Sequence, residues 1–153
     1  MIPQALSMAL VAPALAAGAL AIPASPAFTH ENFIAILSGA NEVPPGDPAI
    51  IGIAQVEVEL ERGEVCTEVK SNVQNPTDMH IHKGAAGTNG PVVVPLDPRT
   101  INGARTCMLV ATDLAKAIVA NPAGFYVNIH TAAMPAGATR GQLAPVVPMP
   151  AGL

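Results

Sequence analysis

The sequence predicts an all-β fold: an antiparallel, Greek-key-like β-sandwich of seven to eight strands with one short helix. Three observations lead there. Two neighbouring segments alternate apolar and polar residues with period two, the mark of half-buried strands. Sixteen prolines and thirteen glycines punctuate the chain, which leaves room for strands and turns but few long helices. Half of the residues are hydrophobic but only 3% are aromatic, so Val, Ile, Leu and Ala must build the core, and these suit tightly packed sheets.

The elements follow in order. Residues 28–37 (FTHENFIAIL) end in a strand. SGANEVPPGDPAIIG is a loop, given Pro44, Pro45, Gly46 and Pro48, with Asn41 and Glu42 placed to tie it to the sheet. Residues 52–60 form a strand whose apolar set is Ile53, Val56, Val58 and Leu60, with a bulge expected near Ala54. ERGE (61–64) is a hairpin turn. Residues 65–73 return with Val65, Thr67, Val69, Ser71 and Val73 on one face. MHIH (79–82) is a short strand running into the Gly-rich loop KGAAGTNG. PVVVPL and RTCMLVA (105–111) are further strands. Thr112-Asp113 offers an N-cap for about two helical turns, which Asn121-Pro122 stops. FYVNIHT (125–131) is a strong strand, and MPAGATRGQLAPVV loops and pairs again. Residues 148–153 are a Pro-rich tail.

The N-terminal residues 1–27 stand apart from this body, assigned to 28–147. From Met8 to Ile22 every residue is apolar, Gly or Pro. That run is shorter than the ~20 residues of a membrane-spanning helix, and Pro13 interrupts it. The small residues of ALA (19–21) and SPA (25–27) suit a secretory leader, but the first basic residue is Arg62. Two roles stay open: a leader, or a retained arm that adds a strand to a neighbouring subunit. The second makes the chain a homo-oligomer or polymer. A net charge of -4 without any basic run argues against nucleic acid as a partner.

Cys66 and Cys107 are the two cysteines. Neither belongs to a CxxC pair, so a cysteine-rich zinc site is not expected. An even count in an exported chain predicts one disulfide, with two buried thiols as the alternative.

Three motifs occur in order: LSGANEVPP (37–45), HIHKGAAGTNGPVVV (80–94) and YVNIHTAAMPAGATRGQL (126–143). Together they resemble the CHRD domain, the module named after chordin and found in many secreted bacterial and archaeal proteins. The resemblance implies an extracellular or cell-surface β-sandwich and no established catalytic activity. A weaker resemblance is to copper/zinc superoxide dismutase, with His80 and His82 as the paired strand histidines and His130 as the later one. No histidine follows in the Gly-rich loop to bridge two metals, and the fourth, His30, is near the N-terminus. Dismutase chemistry is therefore not implied.

Residues i and i+2 of a strand share a face, so His80 and His82 lie side by side, roughly 7 Å apart along the backbone. If the His130 strand neighbours theirs, three imidazoles converge into a site for one copper or zinc ion. Asp78 and Asp97 are further candidates, as a fourth ligand or as hydrogen-bond acceptors for an imidazole. The competing reading is structural: His82 donates to a carbonyl of KGAAGTNG, and His130 pairs with Asn128 or Thr131. Arg140 either attracts an anion or anchors a loop carboxylate through a bidentate bond. No Ser or Cys sits in an elbow or beside a histidine, so no catalytic constellation is expected. Two functions remain: a secreted structural or filament subunit, and an extracellular metal-binding domain.

Overall fold

The alternating runs form an antiparallel meander of β1 (His30–Ser38), β2 (Ile51–Glu59) and β3 (Glu64–Ser71). Phe33, Ala35 and Leu37 from β1, Ala54, Val56 and Val58 from β2, and Val65 and Val69 from β3 point inward. The bulge expected near Ala54 is absent, and the register runs unbroken along both sides of β2. Ala54 itself takes the inward position, opposite Ala35 and Val69, and Ile53 faces the other way. Gly63, at φ +60°, closes the hairpin in the left-handed region that glycine adopts freely.

The computed structural model describes residues 29–147. The N-terminal segment 1–27 and the tail 148–153, with the roles expected of them, lie outside the described residues. The remaining strands are β4 (Pro76–Lys83), β5 (Val92–Leu96), β6 (Thr106–Leu109), β7 (Phe125–Thr131), β8 (Thr139–Gln142) and β9 (Ala144–Pro145). All pairs are antiparallel, in the order β5-β4-β7-β8-β1-β2-β3-β6, with β9 also on β1. The sheet curls so that Met79, Ile81, Val127 and Ile129 share one core with Phe33, Val56 and Val65. This is the expected β-sandwich. Among the described residues the strand count reaches nine because residues 139–145 divide at Leu143 into β8 and the two-residue β9.

Helix α1 (Thr112–Ala120) buries Ala115 and Ile118 against the core. Its N-cap is Ala111, with no capping side chain, so Thr112 is helical rather than the expected cap. Asp113 supplies the favourable negative charge in the first turn. Cys66 and Cys107 lie directly opposite on β3 and β6 and form a disulfide. Among the described residues no helix is long and apolar enough to cross a membrane.

Candidate metal centre

Strand parity puts two layers on β4 and β7. The odd residues Met79, Ile81, Val127 and Ile129 enter the core. The even residues face the other way: Asp78, His80 and His82 on β4, and Tyr126, Asn128 and His130 on β7. The register sets Asp78 opposite His130, His80 opposite Asn128 and His82 opposite Tyr126. Next to them β8 contributes Arg140 opposite Asn128 and Gln142 opposite Tyr126. The outer face of this half of the sheet is thus a polar layer, in which His82, Tyr126, Asn128 and Arg140 are buried.

The three histidines meet in that layer. Their ring centroids are 5.5 Å apart for His80 and His82, 5.3 Å for His80 and His130, and 6.2 Å for His82 and His130. One nitrogen from each ring lies within 4.8 Å of the others. A common point therefore lies within 4.8/√3, or about 2.8 Å, of all three. Zinc–imidazole bonds are about 2.0–2.1 Å, so closing on an ion needs a contraction of under about 1 Å.

Hydrogen bonding prepares two of the rings. His82 Nδ1 donates to Gly90 O at 2.8 Å, and His130 Nδ1 to Pro135 O at 3.0 Å. A carbonyl only accepts, so Nδ1 carries the proton in the neutral ring and Nε2 keeps its lone pair. The Nε2 atoms of His82 and His130, and Nδ1 of His80, are buried without a hydrogen-bond partner. Leaving a buried polar nitrogen unpaired costs about 1–3 kcal/mol each, a cost that a cation held by these nitrogens would offset. Electrostatics favour the ligand form. Burial, with help from His130 and His82, holds His80 below the ordinary imidazole range, against a smaller opposing pull from Asp78. Burial also lowers His82, and it outweighs the Gly90 hydrogen bond.

The Gly90 carbonyl is available because a dense set of contacts holds its loop. Arg140 is only 3% exposed. Its Nε and Nη2 both reach Glu42 Oε2, at 2.7 and 2.6 Å. Nη1 donates to Thr88 O at 3.1 Å, and Nη2 to Asn89 Oδ1 at 2.8 Å. Glu42 accepts from Asn128 Nδ2 on its other oxygen, so both guanidinium donors converge on one oxygen instead of spanning two. Burial pushes the Glu42 carboxyl up despite Arg140 and Asn128. Asn41 Nδ2 adds a bond to Arg140 O. Gly137, at φ +138°, backs onto the Glu42 carboxylate, where a Cβ would come within 2.5 Å of Oε2.

Some sequence expectations change here. Asp97 is not among the converging ligand groups; it accepts from the Arg99 guanidinium and backbone N–H, which hold its carboxyl down at about 2. Asp78 is within electrostatic reach of His80 but is not one of the converging ligand groups. His130 pairs with Pro135 O instead of Asn128 or Thr131. Glu42 and Thr139 O engage the Asn128 amide, and the chain after Thr131 folds back over the ring. Tyr126 joins the site unexpected from the sequence: its ring stacks on His82 and its hydroxyl accepts from Gly90 N at 3.1 Å. Its place two residues before Asn128 and four before His130 was the available signal, since period two puts all three on one face.

The CHRD domain family model matches residues 33–143, which spans all three histidines, Glu42 and Arg140. No curated protein and no solved structure matches the chain. The match covers most of the chain and both strands that carry the centre, so this chain belongs to the CHRD domain family.

Proposed function

We propose that the chain is an extracellular CHRD module that binds one copper or zinc ion through His80, His82 and His130. The observation that carries this is that one nitrogen from each of the three imidazoles lies within 4.8 Å of the others, and each ring holds a buried nitrogen without a hydrogen-bond partner. The large majority of buried side-chain polar atoms end in a hydrogen bond, and these three nitrogens do not. Three neutral imidazoles suit Cu(II) or Zn(II) and leave a further position for water or for Asp78. The disulfide fits an oxidising compartment, which agrees with secretion. Calorimetric titration of Cu(II) and Zn(II) into the metal-free protein, beside His82→Ala, tests the proposal. A heat of binding in the first and a much smaller one in the second is expected; equal heats would end the idea.

A second role is compatible with the first. Among the described residues the sheet path ends at β5 and β6, and Leu109 and Met108 on β6 are exposed. An open, apolar edge strand can accept an added strand, so segment 1–27 of a neighbouring copy would suit it and link subunits into a filament. Deleting residues 1–27 should then leave a folded monomer by light scattering. Polymerisation of the truncated chain would count against that role.

A further inference from the structure

We infer that Arg140 is a positioning residue of the metal centre, which sets the orientation of His82 through Tyr126 and through the loop that carries Gly90. This rests on the metal-binding reading above. Two routes connect Arg140 to the imidazole, and they share no bond.

The first route is a three-layer stack. The Arg140 guanidinium carbon lies 4.6 Å from the centroid of the Tyr126 ring. Tyr126 lies parallel to His82, with planes 3° apart and centroids 4.8 Å apart. A guanidinium over a phenol face is favourable, and here both are shielded from water. The stack holds the plane of the imidazole, and with it the plane in which the Nε2 lone pair lies.

The second route runs through the loop. Arg140 fixes Thr88 by its carbonyl and Asn89 by its side chain. The next residue is Gly90, whose carbonyl accepts the hydrogen bond from His82 Nδ1 and whose N–H donates to the Tyr126 hydroxyl. Only glycine fits at 90, since a Cβ would lie 1.8 Å from Lys83 O. The loop bond chooses the tautomer that leaves Nε2 free, and the stack chooses the ring plane. Glu42 neutralises the guanidinium, so the arrangement buries no uncompensated charge.

Cu(II) titration of the full chain, read by affinity and by the electron paramagnetic resonance spectrum of the bound ion, tests this. Arg140→Gln should weaken Cu(II) binding by about 10–100-fold and change the spectrum, as the loss of a group that orients a metal-bound histidine typically does. Arg140→Lys keeps the charge but not the planar fork, and should shift the spectrum the same way. Asn89→Ala, at an exposed position, removes the bond to Arg140 and one to Val43 O, and should give a smaller change in the same direction. A role confined to stability would leave the spectrum of the folded variants unchanged. Wild-type affinity and spectrum in Arg140→Gln overturn the inference, and so does the same result in Asn89→Ala if Arg140→Gln does not fold. If His82→Ala loses Cu(II) while the Arg140 and Asn89 variants match the wild type, this inference alone fails. If the wild type takes up no Cu(II), the centre fails and the role of Arg140 with it.

Discussion

The imidazole of His82 lies flat on the phenol ring of Tyr126, 3° from parallel and 4.8 Å away, across the β4–β7 pair. The contact brings together the face of a candidate ligand and the only tyrosine in the chain. The polar layer around it leads to several measurable outcomes.

Metal should stabilise the fold. An ion that binds only the folded state adds about 2.7 kcal/mol at a free concentration one hundred times its dissociation constant. Thermal unfolding should therefore shift upward on adding Zn(II) or Cu(II), return on adding chelator, and stay unchanged in a variant with Ala at His80, His82 and His130. An equal shift in that variant would place the binding elsewhere.

The metal-free protein should lose stability on mild acidification. His80 and His82 both titrate below their ordinary value of 6.5 when folded. Between the folded and unfolded values the unfolded chain holds more protons, so stability rises with pH there. This destabilisation is absent well above 6.5 and grows as pH falls through it. Glu42 is shifted up and acts with the opposite sign above 4.5. Comparing urea unfolding at pH 8 and pH 6 with that of His80→Asn/His82→Asn isolates the imidazoles. The double variant should lose less stability; the same loss in both would contradict the assignment.

The Glu42–Arg140 pair should be costly to break from one side. Removing one partner of a buried ion pair typically costs about 3–5 kcal/mol because the other charge is left bare. Glu42→Ala should fall in that range by urea denaturation. Glu42→Leu/Arg140→Met should cost less than the sum of its two single variants. Additive losses would mean that the two side chains do not act as a pair.

Opening the disulfide should weaken the β3–β6 edge and the whole fold. The cysteines are 41 residues apart in sequence. Chain-entropy reasoning for a loop of that length gives about 4 kcal/mol. Cys66→Ala/Cys107→Ala should unfold at correspondingly lower urea, with reductant reproducing the effect in the wild type. A change below about 1 kcal/mol would show that β6 is held by its backbone pairing alone.

The sequence by itself determined the strands, because period-two burial is local. Residues 52–60 and 65–73 carry their own inward faces, and His80 and His82 share a face wherever β4 pairs. It also determined the family, through three motifs in order, and the disulfide partners, since only two cysteines exist. It misplaced what depends on short-range competition: the helix start at Thr112, and a bulge at Ala54 that the unbroken register does not need.

Only the tertiary structure decided that β7, more than forty residues further on, lies beside β4 and brings His130 to the pair. Strand neighbours are chosen by how apolar faces close over a shared core, a non-local condition that periodicity does not contain. The same closure laid the 84–90 loop over the outer face, turned the Gly90 carbonyl to His82, and joined Glu42 to Arg140 across 98 residues. Asp97 shows the converse. It lies near the centre in sequence pattern, yet Arg99 two residues away binds it first, because a close, exposed cation involves no long-range ordering.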